Sequence, residues 1–190
     1  MLTRLSCTVL VGVLTNALLF AEPAAGQYSS VTDLGDLGGG ASIATAINDR
    51  GQVVGASLRD STTERGFIWQ DGMMTDLGSL GGTNTVAYAM NNRGQVVGGS
   101  NRRGDSSVGA FIWQKGVMTD LGGGNSFALG INDGGQVVGE VWATDLLSAS
   151  AVLWENGVMT ELPNLGGSFA AAVGINSRGQ IVGQSQNADG

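Results

Sequence analysis

The sequence predicts an all-β fold: a tandem array of four-stranded repeats of β-propeller-like design, with about four blades and the last one incomplete. Three observations carry that expectation. INDRGQVVG at 47–55 recurs as MNNRGQVVG at 90–98, INDGGQVVG at 131–139 and INSRGQIVG at 175–183, and the asparagines Asn48, Asn91, Asn132 and Asn176 are 43, 41 and 44 residues apart. A second block, GFIWQDGMMTDLG at 66–78, returns as AFIWQKGVMTDLG at 110–122 and AVLWENGVMTELP at 151–163. Glycine accounts for 33 of 190 residues without the every-third spacing of collagen, which points to many tight turns.

Each repeat reads as four short strands. The first alternates small and large residues, with Ala44 and Ala46 on one face and Thr45 and Ile47 on the other, then Ala87 and Ala89 against Tyr88 and Met90. The third and fourth copies keep the pattern with Ala128 and Gly130 against Leu129 and Ile131, and Ala172 and Gly174 against Val173 and Ile175. Neither face is polar, so both are expected to be buried between neighbouring sheets. Asn48 to Gly51 has the chemistry of a hairpin turn, in which an amide side chain bonds nearby backbone and a glycine takes a positive φ. Gln52 to Gly55 opens the second strand, a variable loop follows, and Phe67-Ile68-Trp69 forms the third strand. Asp71-Gly72 turns the chain into a fourth strand, Met73 to Leu77. The segment Tyr28 to Leu34 resembles that fourth strand and could close a ring by pairing with the last blade, a closure that the sequence does not decide. The repeats span 42–78, 85–122, 126–162 and 169–190, and the chain stops at Gly190 before a fourth F-x-W block. An array left open in this way would present a sheet edge to another chain.

Residues 1–26 have the layout of a cleavable secretory signal: a basic residue at Arg4, an apolar run from Val9 to Ala21, and small residues at Ala24, Ala25 and Gly26. The run is too short to anchor the chain across a bilayer, so no membrane span is expected after cleavage. A single repeat domain, 27–190, would then be secreted, extracellular or periplasmic. Cys7, the one cysteine, falls inside the signal, and the chain has no histidine. These two facts exclude from the processed chain a Ser-His-Asp triad, a cysteine nucleophile, a Cys/His zinc site and a disulfide. Loss of Arg4 and Glu22 with the signal leaves the net charge at −7, which opposes binding to nucleic-acid phosphates.

Asp33, Asp76, Asp120 and Glu161 take one place in successive T-D/E-L segments and would line one rim. They are expected to accept backbone N–H groups where strands end; as a ring of oxygen ligands they are also the candidates for calcium or a sugar. Two of them at suitable separation would make a glycosidase, although a catalytic pair is singular whereas these acids recur with the scaffold. Trp69, Trp113 and Trp154 repeat with the third strand and belong to the core. Trp142 has no counterpart, which makes it the aromatic candidate for ligand contact. Polar side chains that do not repeat lie in the variable loops, Arg59, Asp60, Glu64 and Arg65 in the first and Asn101, Arg102, Arg103 and Asp105 in the second, while the third, Ala143 to Ser150, is more apolar. Arg103-Gly104-Asp105 spells an adhesion tripeptide whose make-up is also that of an ordinary turn.

The segments DLG-x-LGG, IN-x-x-GQVVG and AF-x-W-x-x-G, in that order and at one period, resemble the bacterial extracellular repeats called HAF. The resemblance runs from about Val31 to the end of the chain. It implies an exported repeat protein with no established catalytic activity. This chain departs from the pattern at the histidine that gives the repeat its name, where Arg65, Gly109 and Ser150 stand. The expected function is an exported binding or structural repeat for a carbohydrate or protein ligand, and the alternative is a carbohydrate-active enzyme using Asp or Glu.

Overall fold

A computed structural model describes residues 9–11, 30–105 and 107–189. Within these bounds the chain is all-β, and each of the first three repeats folds as a four-stranded antiparallel meander in sequence order. Two short strands, β1 (Val9–Val11) and β2 (Val31–Asp33), pair in parallel ahead of the first repeat. The first meander holds β3 (Ser42–Ile47), β4 (Val53–Leu58), β5 (Glu64–Gln70) and β6 (Met73–Asp76). In the second are β7 (Gly81–Met90), β8 (Val96–Arg102), β9 (Val108–Gln114) and β10 (Val117–Asp120). The third contains β11 (Asn125–Ile131), β12 (Val137–Trp142), β13 (Ala149–Glu155) and β14 (Val158–Glu161). From the fourth copy come two strands, β15 (Gly166–Ile175) and β16 (Ile181–Asn187), and one parallel bridge, Ala149 to Phe169, joins β15 to β13.

The turns explain why the meanders form. Asp71-Gly72, Lys115-Gly116 and Asn156-Gly157 each place two successive residues at positive φ, as a two-residue type I′ hairpin requires. Asn48 closes its turn by accepting hydrogen bonds from the N–H groups of Arg50 at 3.0 Å and Gln52 at 3.1 Å. The second strand crosses a bulge in the first at an equivalent place in every repeat, where the register shifts between Ala44 and Ala46, Ala87 and Ala89, Ala128 and Gly130, and Ala172 and Gly174. A Cβ added to the facing glycine, Gly55, Gly98, Gly139 or Gly183, would stand 1.9, 2.0, 1.9 or 2.1 Å from a backbone carbonyl oxygen. The last glycine of G-Q-V-V-G is therefore fixed by backbone contact.

Apolar layers lie between successive meanders. Val54 and Ile68 of the first repeat meet Ala87, Met90, Val96 and Phe111 of the second, with Leu77 from the intervening segment. Val97, Ile112 and Leu121 meet Ile131, Val137, Val152 and Trp154 one step later. Val138 and Leu153 then face Ala170, Ala172, Ile175 and Ile181. Leu34 and Leu37 pack on Val53 and Phe67 at the start of the array.

Two expectations are corrected. The first strand is dry on both faces only inside the array: Ile47 is 56% exposed where its counterparts Met90 and Ile131 are each 9% exposed, because among the described residues no meander precedes the first repeat. The segment before the first repeat does not close a ring within the described residues, since β2 pairs with β1 and not with β16. Residues 1–26, read from the sequence as a secretory signal, lie outside the described residues except for Val9–Val11.

Candidate functional site

A meander sends its turns to two opposite rims. One rim holds the Asn-x-x-Gly turns and the type I′ turns; the other holds the variable loops, the ends of the fourth strands and the segments leading to the next repeat. The first rim is consumed by the scaffold. The side-chain amide of Asn48 donates to the Asn91 carbonyl at 3.1 Å, Asn91 to Asn132 at 3.0 Å and Asn132 to Asn176 at 2.9 Å, so the turns stack as a ladder. Asn92 reinforces it by donating its amide to Asp49 at 2.8 Å and to Asp133 at 3.3 Å.

On the loop rim the repeated acids close turns. Asp33 accepts from the Gly35 N–H at 2.9 Å, Asp76 from Gly78 at 2.7 Å and Asp120 from Gly122 at 2.8 Å. In the third copy Pro163 stands where those glycines supply an N–H, and the acid there is Glu161, which accepts from the Ser150 hydroxyl at 2.6 Å. The change from Asp to Glu accompanies the loss of the donor. Among the described residues no three acidic, histidine or cysteine side chains gather as metal ligands.

Arg102 and Asp120 form the tightest ion pair of this rim. The guanidinium donates to Asp120 through Nε at 2.6 Å and Nη2 at 2.8 Å, while Nη1 reaches the Gly124 carbonyl at 2.6 Å and the Val108 carbonyl at 3.2 Å. It thus ties β8 to β10 and to the start of the third repeat. The bond from Arg102 holds the Asp120 carboxyl below its ordinary pKa, and that bond raises the Arg102 value. A Cβ at Gly109 would lie 2.7 Å from Nη2, so the guanidinium covers that position. In the other copies Arg65 reaches the Gly82 carbonyl at 3.3 Å and Ser150 binds Glu161. The three repeat-equivalent positions, Arg65, Gly109 and Ser150, thus have three different surroundings.

The tripeptide 103–105 forms a short 3-10 turn with Gly104 at φ 77 and Asp105 at φ 52. Its carboxylate is exposed but tied to β7: Asp105 accepts from the Thr83 N–H at 2.8 Å, the Thr83 hydroxyl at 3.0 Å and the Asn101 amide at 3.2 Å. The Thr83 N–H leads in holding its pKa below the ordinary value. Arg103 remains exposed beside it.

Trp154 is buried at 3% exposure, and its indole N–H has no partner among the described residues. Trp69 and Trp113 are half-buried against the apolar layers. Trp142, the aromatic candidate for ligand contact, is half-buried, its N–H donates to Glu140 at 2.8 Å, and its ring lies 5.7 Å from that of Phe169 at a 55° tilt. Its work is to fasten the fourth repeat to the third.

No protein-family model matches this chain, and no curated protein matches it.

The side chains left facing solvent on the loop rim include a pair that was not singled out from the sequence. Leu146 and Leu147 are 56% and 78% exposed at the tip of the loop between β12 and β13. Leu146 is held at φ 59, a costly conformation for a leucine, by a bond from its N–H to the Ala143 carbonyl at 3.0 Å, while Asp145 accepts from the Leu147 N–H at 2.9 Å. The signal available was an apolar pair following Thr-Asp within a loop, D-L-L-S.

Proposed function

We propose that the chain is an exported, non-catalytic repeat module of the HAF type, propeller-like in design, that binds a carbohydrate or protein ligand through its variable loops. The single observation that carries this reading is the division of labour on the loop rim. Asp33, Asp76, Asp120, Glu161, Arg102 and Asp105 are engaged in holding turns and strands, whereas Leu146 and Leu147 are projected outward by a strained, hydrogen-bonded turn. Loops carried on a rigid scaffold are where recognition concentrates, and strained non-glycine residues cluster at such places. A signal at 1–26 would deliver the module to the extracellular or periplasmic space, where a net charge of −7 favours solubility over contact with anionic polymers.

The experiment is a binding survey of the full chain against immobilised polysaccharides and extracellular-matrix proteins, repeated with a Leu146→Ser, Leu147→Ser double variant. The reading expects a saturable ligand and a loss of about tenfold in affinity at unchanged melting temperature. A double variant that binds as the parent does would remove the loop from the argument. Hydrolysis of a glycoside that Asp76→Asn or Asp120→Asn abolishes in a folded protein would replace this reading with the glycosidase.

A further inference from the structure

The charges of the chain are sorted between its two rims. On the turn rim Asp49, Asp71, Asp133 and Glu155 are matched by Arg50, Arg93, Lys115 and Arg178, so that side is neutral. Every other acid and base of the described residues lies toward the loop rim, where the chain's excess of negative charge, −7, is therefore concentrated. The cations of that rim are largely committed: Arg102 to Asp120 at 2.6 Å, Arg59 to Asp76 at 3.8 Å, and Arg65 to the Gly82 carbonyl at 3.3 Å. The exposed carboxylates of Asp60 and Asp145 shape their own loops, Asp60 by accepting from the N–H groups of Thr62 at 2.9 Å and Thr63 at 2.8 Å, Asp145 from that of Leu147 at 2.9 Å. Both accept through Oδ1, which leaves Oδ2 without a partner among the described residues. Asp145 directly precedes the exposed pair Leu146 and Leu147, so the tip of the loop between β12 and β13 sets a carboxylate beside apolar surface.

We infer that the loop rim, centred on the tip 145–147, binds a protein partner whose face is cationic and carries an apolar recess for the leucine pair. This deepens the loop-borne binding proposed above and rests on it, choosing a protein over a carbohydrate. A sugar presents hydroxyls that need donors as well as acceptors, and a ring face that suits an aromatic side chain. Donors of this rim are spent inward, the Trp142 N–H on Glu140, the Asn101 amide on Asp105, and the Arg102 guanidinium on Asp120 and the Gly124 carbonyl. The Trp142 ring is spent on Phe169. What the tip presents is carboxylate oxygen and leucine methyl groups, the complement of lysine or arginine set around an apolar pocket. The two contributions respond to different handles. Attraction between the rim and a basic face steers encounter and is screened by salt, whereas burial of the leucines is not weakened by it.

The test titrates the full chain into a fluorescently labelled amphipathic helical peptide, leucine on one face and lysine on the other, at ionic strengths of about 50 mM and about 500 mM. The expected result is saturable binding at the lower ionic strength that weakens about tenfold or more at the higher. Peptides of the same layout with glutamate in place of lysine, or serine in place of leucine, are expected to bind at least about tenfold more weakly. In the protein, the Leu146→Ser, Leu147→Ser pair and the Asp60→Asn, Asp145→Asn pair are each expected to lose about threefold or more, and only the second flattens the salt dependence. The Asp71→Asn, Glu155→Gln pair removes as much charge from the turn rim and leaves binding unchanged. Circular dichroism and melting temperature check that each variant folds. Absence of saturable binding by the leucine–lysine peptide, equal binding of either altered peptide, or an equal effect of the turn-rim pair would each overturn the inference. A neutral polysaccharide whose binding needs the leucine pair but is indifferent to salt would overturn it while leaving the loop reading in place; binding that nowhere depends on the leucine pair would remove both.

Discussion

The second and fourth repeats share one sequence pattern and differ in their surroundings. Val97, in the second, is fully buried beneath the third meander; Val182, at the equivalent place in the fourth, is 66% exposed. Asn91 is buried and donates its amide both to Gln95 at 2.7 Å and to the next turn at 3.0 Å, whereas Asn176 is exposed and donates to Gln180 alone at 2.8 Å. The comparison teaches that a repeat here is half of each of two interfaces. Its residues acquire their energetic weight from what stacks on them, as expected of an array whose stability is a sum of unit and neighbour contributions.

The largest break in that comparison is Phe111→Ala. Emptying a fully buried ring site between the first two repeats is expected to cost about 3–5 kcal/mol, read as a drop in the urea midpoint, and only the complete repeats offer such a target. Val97→Ala follows at about 2 kcal/mol, with Val182→Ala within about 0.5 kcal/mol; equal losses in the two variants would show that the end of the array is covered in solution. Asn91→Ala is expected to lose about 1–3 kcal/mol because it leaves the Arg93 and Gln95 N–H groups and the Asn132 carbonyl short of a partner, and Asn176→Ala less than that.

Two equivalent ion pairs sharpen the contrast on a smaller scale. Arg102 holds Asp120 at 2.6 Å with a largely covered guanidinium, while Arg59 stands 3.8 Å from Asp76 and is mostly exposed. Arg102→Ala is expected to cost on the order of 1–2 kcal/mol, Arg59→Ala at most about 0.5 kcal/mol. The tighter pair also has a pH signature. Because the folded-state pKa of Asp120 is depressed by Arg102, its contribution is present above the unfolded carboxyl value of about 3.9 and is lost as pH falls through the lower folded value. Melting temperatures recorded from pH 6 down to pH 2 are therefore expected to fall more steeply for the parent than for Asp120→Asn.

Strands and turns were legible because their causes are local. Asn-x-x-Gly and Asp-Gly turn chemistry, and apolar positions alternating at period two, describe the first three meanders strand by strand. What surrounds a repeat is not local, so the pattern at Ile47 promised the same burial as at Met90 and did not deliver it. The acids were legible as turn residues, but the replacement of a glycine donor by Pro163 acquired meaning only with the Glu161–Ser150 bond. The contacts of Trp142 were not legible, because uniqueness in a repeat says nothing of what packs on a residue. Here it marks an irregular junction, where Phe169 of the next strand needed an aromatic partner. Arg102 looked like a free loop cation, and nothing in its neighbours in sequence announced a pair with Asp120 across the sheet.

The asparagine ladder has a further consequence for how such a chain can change. Turns stacked by direct amide-to-carbonyl bonds fix the rise from one repeat to the next, yet their asparagines are 43, 41 and 44 residues apart. The length differences are taken up on the opposite rim, away from the bonds that set the rise. One side of the molecule serves as a fixed spine, and the other is open to insertion, deletion and exchange of whole loops without retuning the stack. A graft between β12 and β13 would inherit a calibrated platform from a turn rim that it never touches.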